Sequence, residues 1–158
     1  MDGVKFLAKL DSLDKNLRIL KDAVQTAEQK MTKEYIAKVG YLVNGMSYML
    51  TEVGRRFIAM NIGEIINDVV VEPPLNARDI FVKLGEIKII PTKAVPHLNR
   101  LITQANANKV DIKEVGLAMP SIELFIFYVK HFMEGVDLFG EEVEEVEVIR
   151  KVEDKKER

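Results

Sequence analysis

The sequence predicts an all-α fold: an antiparallel helical bundle of about five helices, in which two long N-terminal helices precede shorter C-terminal ones. Two observations favour this fold. Residues 4–31 carry an unbroken heptad pattern of apolar side chains, and the next segment repeats apolar side chains at the same helical period over a wider face. The one extended candidate, residues 87–91, has no second strand candidate near it and is interpreted as a packed connector.

The first predicted helix carries apolar side chains at alternating spacings of four and three, and neither Gly nor Pro interrupts residues 4–31. An apolar stripe of about two residues in seven is narrower than the face of a buried helix. The helix is therefore expected to pack along one partner line, either within the same chain or across a dimer. Its apolar positions are Phe6, Leu10, Leu13, Leu17, Leu20, Val24, Ala27 and Met31.

The second predicted helix follows a very tight turn, where Thr32, followed by Glu34, can cap it; a bend in one continuous helix is the alternative. Two adjacent apolar stripes give it the broad face that the central helix of a bundle requires. The apolar pattern continues to Val70, so the helix is expected to run on until Pro73 and Pro74 end it. We call the packing or dimer positions predicted on the two long helices the seam: Phe6, Leu10, Leu13, Leu17, Leu20, Val24, Met46 and Met49.

Shorter elements are expected beyond the prolines, because Gly, Pro and capping residues divide the rest of the chain into short apolar segments. The predicted elements are a short helix over 76–84 stopped by Gly85, a helix over 93–108 capped by Thr92, an irregular segment or single turn over 110–116, and a last core helix that starts at 119–121 and closes at Gly140. Residues 1–140 are predicted to form one helical domain. Residues 141–158 form a charged tail that is expected to be either helical or disordered.

The composition does not indicate a nucleic-acid or membrane protein. The formal net charge is −2 and the pI about 5.8, so contact with RNA or DNA would need a local basic patch. No apolar run approaches the roughly 20 residues that span a bilayer, and the first residues do not resemble a signal peptide. With no cysteines, these features predict a cytoplasmic protein. A Lys- and Glu-rich exterior is typical of thermophiles, although seven methionines argue the other way.

The sequence contains no pattern that predicts a self-sufficient catalytic or metal site. Neither His97 nor His131 has a Glu three residues before it, so the Glu-x-x-His pairs of metal-binding bundles are missing. The dense carboxylates lie in the tail, and the glycines are scattered rather than clustered in a phosphate-binding loop. The serines have no His partner at a useful spacing. No catalytic residue, metal ligand or cofactor is therefore predicted.

The order of elements resembles that of a known family. The segments that carry the likeness are Phe81-Val82-Lys83-Leu84-Gly85, Ile89-Ile90-Pro91 and Leu98-Asn99-Arg100-Leu101-Ile102. They are similar to the HEPN superfamily, specifically the HepT-like branch found beside minimal nucleotidyltransferases in archaea and bacteria. The likeness covers residues 13–139 and implies a helical bundle that dimerises, with two helices of each protomer in the interface.

In the HepT-like branch a helix ends in an Arg-Asn-x-x-x-His motif, followed two residues later by Tyr, and the Arg and His cleave RNA without a metal. When this chain is aligned with the family pattern, Ala105 lies at the Arg position and Asn106 at the Asn position. Val110 lies at the His position and Ile112 at the Tyr position. Alanine and valine offer neither a proton acceptor nor a positive charge. The resemblance therefore implies a catalytically silent member, which also lacks the Tyr hydroxyl that the nucleotidyltransferase modifies in active toxins.

Two functions follow as hypotheses. The first is a non-catalytic, HEPN-like helical interaction protein that forms a homodimer through its long apolar helices. The second is an RNA-binding or RNA-cleaving component of a HepT-type toxin–antitoxin system, with a nucleotidyltransferase as partner protein; if the chain is an enzyme, it is a ribonuclease. The candidate RNA-binding residues lie on and just after the helix over 93–108: Arg100, Asn106, Asn108 and Lys109.

Overall fold

A computed structural model of the chain describes residues 3–61, 64–66, 69–71 and 76–135 and shows the predicted all-α bundle. The described residues form the helices α1 (Gly3–Lys30), α2 (Lys33–Asn61), α3 (Ala77–Glu86), α4 (Val95–Ala107) and α5 (Ile112–Met133), and two short strands, β1 (Glu64–Ile66) and β2 (Val69–Val71). Among the helices described, none combines the length and the apolarity that a membrane span needs.

The two long helices are separate and antiparallel, which confirms the predicted tight turn. Met31 adopts a left-handed conformation with φ 48°, and its N–H donates to the Ala27 carbonyl. The Thr32 hydroxyl then accepts a hydrogen bond from the Tyr35 N–H at 3.4 Å, as the capping prediction requires. An ion pair between Lys9 and Glu52 joins the helices at their far ends.

The core of the bundle is built around α1, which packs against both α2 and α5. The prediction of a single partner line is wrong in this respect, because the large side chains of the narrow stripe contact two neighbouring helices. Aromatic rings close the end of the core where α1 begins: Phe6 and Phe57 have centroids 6.2 Å apart, and Phe57 meets Phe132 edge-on at 5.2 Å. A second edge-on pair, Phe81 with Phe125, links α3 to α5.

The end of α2 differs from the prediction of a helix that runs on to Pro73. The helix ends at Asn61, whose side-chain amide donates to the Phe57 carbonyl at 2.9 Å. Strands β1 and β2 then pair antiparallel with Glu64 opposite Val71 and Ile66 opposite Val69. The physical reason lies in the residue types: this segment is rich in Ile and Val, whose branched side chains favour extended backbone over helix.

The connector between α3 and α4 is packed, as predicted. Ile90 of this connector is buried. At the other end of α3, the Asn76 side chain caps the helix by accepting a hydrogen bond from the Asp79 N–H at 3.0 Å. Helix α4 begins at Val95 after a 3₁₀ turn, Thr92–Ala94, and the Thr92 side chain makes no capping hydrogen bond. The predicted Thr92 cap is therefore wrong; the turn itself provides the entry to α4.

Helix α5 begins at Ile112, seven residues earlier than predicted, and the expected irregular segment is part of it. The Asp111 carboxylate caps the helix by accepting from the N–H groups of Lys113 and Glu114 at 3.0 and 3.3 Å. Pro120, interpreted as a helix start, lies inside the helix, where it removes one backbone hydrogen bond without ending the element. Gly140 and residues 141–158 lie outside the described residues.

Candidate interaction surfaces

The seam lies inside the core of a single chain. Seven of its residues are buried, and Met49 is half-buried. The six on α1 are covered by α2 and α5 of the same chain, so they leave no open stripe on α1 for a partner. Any contact between copies through the long helices has to use other faces of those helices.

The four candidate RNA-binding residues lie close together in sequence, but only two of them line the same cleft. Arg100 and Lys109 both face a cleft between the end of α4 and the start of α5, whereas Asn106 and Asn108 are exposed outside its lining. Asn108 ends α4 in a left-handed conformation, with φ 55°. The sequence prediction treated these four residues as one group, and the structure separates them into two pairs.

The charges around this cleft are mixed. Arg100 donates to the Glu114 carboxylate at 3.2 Å and is about half exposed, and Asp111 lies in the same lining. Across from α4, Arg78 donates to the Thr103 hydroxyl at 3.0 Å, which adds a cation near Arg100. Two carboxylates therefore offset three cations, and the cleft is not strongly basic.

The positions that correspond to the HepT-like motif hold no reactive group. Ala105 and Val110 are half-buried and pack against the core, and Ile112 is buried at the start of α5. His131 lies well away from them along α5, where its Nδ1 is 2.8 Å from the Phe127 carbonyl. Within the described residues, no group of three or more His, Asp or Glu side chains is arranged to hold a metal ion.

The outer face of α2, on the side away from the core, is uncharged in its middle and exposes two aromatic side chains there. Residues 39–51 form the longest run of the sequence without a charged side chain. Tyr41 and Tyr48 are spaced seven apart and therefore lie on one side of the helix, where they are 79% and 69% exposed. Asn44 and Gly45 lie exposed between them. Sequence reasoning missed this face, although the charge-free run and the spacing of the tyrosines were signals of it.

Charged residues flank this uncharged region at both ends. Glu34 and Lys38 are exposed on the first turns of α2, and Glu52, Arg55 and Arg56 follow after residue 51. Glu52 accepts a hydrogen bond from Lys9 of α1 at 3.3 Å. We call the surface formed by Glu34, Ala37, Lys38, Tyr41, Asn44, Gly45, Tyr48, Glu52 and Arg55 the outer ridge of α2.

The chain was compared with protein-family models, with curated proteins and with solved structures, and none of them matches it.

Proposed function

We propose that the chain is a non-catalytic helical interaction protein that acts as a homodimer and associates through the outer ridge of α2. The observation that carries the proposal is the exposure of Tyr41 and Tyr48 in a region without charged side chains. Tyrosine is enriched and charge is depleted at the centres of protein interfaces, where burial of the ring drives association while the hydroxyl keeps a polar contact.

Helix α1 offers a comparison within the same molecule. It is almost as long as α2, packs against the same core and also exposes one side to solvent. That side carries charged residues along its length: Asp11, Lys15, Arg18, Asp22 and Glu28. The exposed side of α1 also includes Ile19, which is 49% exposed, but charged residues recur along it, whereas none occurs in the middle of the outer ridge of α2.

Gly45 supports the same proposal. Among the described residues, a Cβ atom at this position would meet no atom within 4 Å beyond its own turn of helix, so the packing of these residues does not require glycine there. Glycine inside a helix costs about 1 kcal/mol relative to alanine. A partner backbone that approaches α2 closely explains why a residue without a side chain is placed between the two tyrosines.

The test is the association state of wild-type chain and of a Tyr41→Lys/Tyr48→Lys variant by analytical ultracentrifugation. We expect a dimer at micromolar concentration for the wild type and a monomer for the variant, because truncating or charging a central interface residue costs roughly 2 kcal/mol or more per site. Leu117→Lys is the matched control, since Leu117 is exposed on α5. A wild-type monomer at 100 micromolar, or equal weakening by the control, contradicts the proposal.

The second candidate is RNA binding or cleavage by a HepT-type toxin–antitoxin component. It is favoured by the hydrogen bond from Arg78 to Thr103, because this contact adds a cation near Arg100 and Lys109. It ranks second because Asp111 and Glu114 share the cleft and the residues at the Arg and His positions of the motif, Ala105 and Val110, are apolar. Incubation of the protein with total RNA in EDTA distinguishes the two: cleavage that is lost in Arg100→Ala would favour the ribonuclease, and intact, unbound RNA the interaction protein.

A further inference from the structure

The residues of the outer ridge of α2 are ordered symmetrically about one point. Tyr41 lies as far before the midpoint between Asn44 and Gly45 as Tyr48 lies after it. A surface that binds a second copy of itself across a two-fold axis must be complementary to itself, so each residue on one side of the axis meets its counterpart from the other side. For antiparallel helices, pairing Tyr41 of each copy with Tyr48 of the other would locate the axis at this midpoint, and the charged residues on either side test that location.

The charged ends follow the same symmetry with opposite signs. Glu34 lies as far before the midpoint as Arg55 lies after it. The distances of Lys38 and Glu52 from the midpoint, on its two sides, differ by one residue. In an antiparallel pair each acidic residue of one copy thus faces a basic residue of the other. In a parallel pair Glu34 would face Glu34 and Lys38 would face Lys38, which is unfavourable for like charges.

The small residues mark the centre. Gly45 is exposed, adjoins the midpoint, and has no neighbour from another described element that a Cβ atom would meet within 4 Å. Helices that cross at a glycine can bring their backbones closer than the usual 8–10 Å separation of helix axes, so the flanking side chains interlock around the crossing point. Ala37, about two turns before the midpoint, is also small and exposed, so it adds little bulk beyond Tyr41.

We propose that two copies of this chain associate with their α2 helices antiparallel, around a two-fold axis that passes between Asn44 and Gly45, with Tyr41 of each copy against Tyr48 of the other. This inference rests on the proposed function, since it specifies the arrangement within the proposed dimer. Lys38 lies opposite Glu52 and Glu34 opposite Arg55, and these pairs select the antiparallel orientation. The Lys9–Glu52 pair remains, because a carboxylate can accept from more than one donor.

Disulfide cross-linking tests the arrangement, and the chain suits it because it contains no cysteine. An Asn44→Cys variant places each thiol beside the axis, so we expect a cross-linked dimer under mild oxidation. A Lys38→Cys variant places the two thiols about 20 Å apart along antiparallel helices, so we expect no cross-link. Cross-linking of both variants indicates parallel helices and overturns the inference, while the dimer itself and thus the proposed function remain.

A charge variant gives an independent readout. Lys38→Glu places a carboxylate opposite Glu52 of the other copy at each of the two symmetric positions, and we expect the dimer dissociation constant to rise about tenfold. Lys15→Glu, which makes the same charge change on the exposed side of α1, is expected to leave it unchanged. Equal effects of the two charge variants would overturn the antiparallel arrangement. It would also be overturned if Asn44→Cys failed to cross-link although Tyr48→Lys dissociates the dimer. A wild-type chain that stays monomeric overturns the proposed function as well.

Discussion

At the scale of single residues, two glycines of α2 show which positions the fold of one chain requires. A Cβ atom at Gly54 would lie 2.6 Å from Cγ2 of Ile80, so α3 can pack this closely only because Gly54 has no side chain. At Gly45 the same atom would meet nothing within 4 Å among the described residues outside its own turn of helix. Gly54 therefore serves the contact between α2 and α3, whereas no contact between the described helices requires glycine at position 45.

These two glycines give opposite predictions for alanine substitution. In the monomeric Tyr41→Lys/Tyr48→Lys background, Gly54→Ala is expected to destabilise the fold by roughly 1–3 kcal/mol through overpacking. Gly45→Ala is expected to stabilise it by up to about 1 kcal/mol, because alanine favours the helix and nothing obstructs its methyl group. Urea unfolding followed by circular dichroism measures both. A loss of stability in Gly45→Ala would mean that the position is already filled within one chain.

The start of α5 depends on Asp111, which accepts two backbone hydrogen bonds at the helix N-terminus. We expect Asp111→Ala to lower the free energy of unfolding by about 1 kcal/mol, since it leaves these N–H groups without their acceptor. Asp11→Ala, at an exposed position within α1, is the control and should change stability by less than about 0.5 kcal/mol. Equal effects of the two variants in thermal unfolding would contradict the assigned cap.

At the scale of elements, the apolar stripe of α1 packs within one chain, against α2 and α5. Leu17 is buried between neighbouring helices, whereas Leu117 on α5 is half exposed. The same residue type thus occupies the core in one helix and the surface in another. The heptad pattern alone did not decide between packing within the chain and packing across a dimer, because both use the same spacing of apolar side chains.

This difference predicts the outcome of two leucine substitutions. Leu17→Ala is expected to lower the free energy of unfolding by about 2–5 kcal/mol, because it leaves a cavity in the core. Leu117→Ala should cost less than about 1 kcal/mol, since the side chain is already half in water. Denaturant unfolding of the two variants gives the comparison. If Leu17→Ala instead changed the dissociation constant of the dimer and spared the stability, α1 would form an interface between copies.

The sequence predicted those elements whose signals are local. The heptad stripe located α1, and Thr32 located the start of α2, because helical period and capping act within one or two turns. The end of α2 and the start of α5 were not predicted correctly. Apolar spacing at Ile65 and Ile66 fits a helix, but the branched side chains favour strands, and Pro120 was given more weight than the cap at Asp111.

The candidate surface was predicted less well than the fold. Buried positions can be inferred from apolar periodicity, but α2 carries apolar or uncharged residues on all sides between 39 and 51. Tyr41 and Tyr48 lie outside the two predicted apolar stripes, but the sequence alone does not show whether another helix covers them. Only the packing of α1, α3, α4 and α5 against α2 shows that this side is left uncovered among the described residues.

At the scale of the whole molecule, the bundle presents two different exteriors. The exposed side of α1 is charged, while the outer ridge of α2 is uncharged in the middle and charged at both ends. A formal net charge of −2 gives no strong repulsion between copies. In the function that we propose, the molecule acts through the outer ridge of α2, which a second copy covers, rather than through a reactive group.

Hydroxyl-radical labelling read by mass spectrometry tests this central claim most directly. Tyr41 and Tyr48 of the wild-type chain should become protected as the protein concentration rises through the micromolar range, because the second copy covers both rings. Met31, which is 59% exposed at the turn between α1 and α2, should be labelled at the same rate throughout. Labelling of Tyr41 and Tyr48 that stays independent of concentration, at the rate of freely exposed tyrosines, would contradict the account.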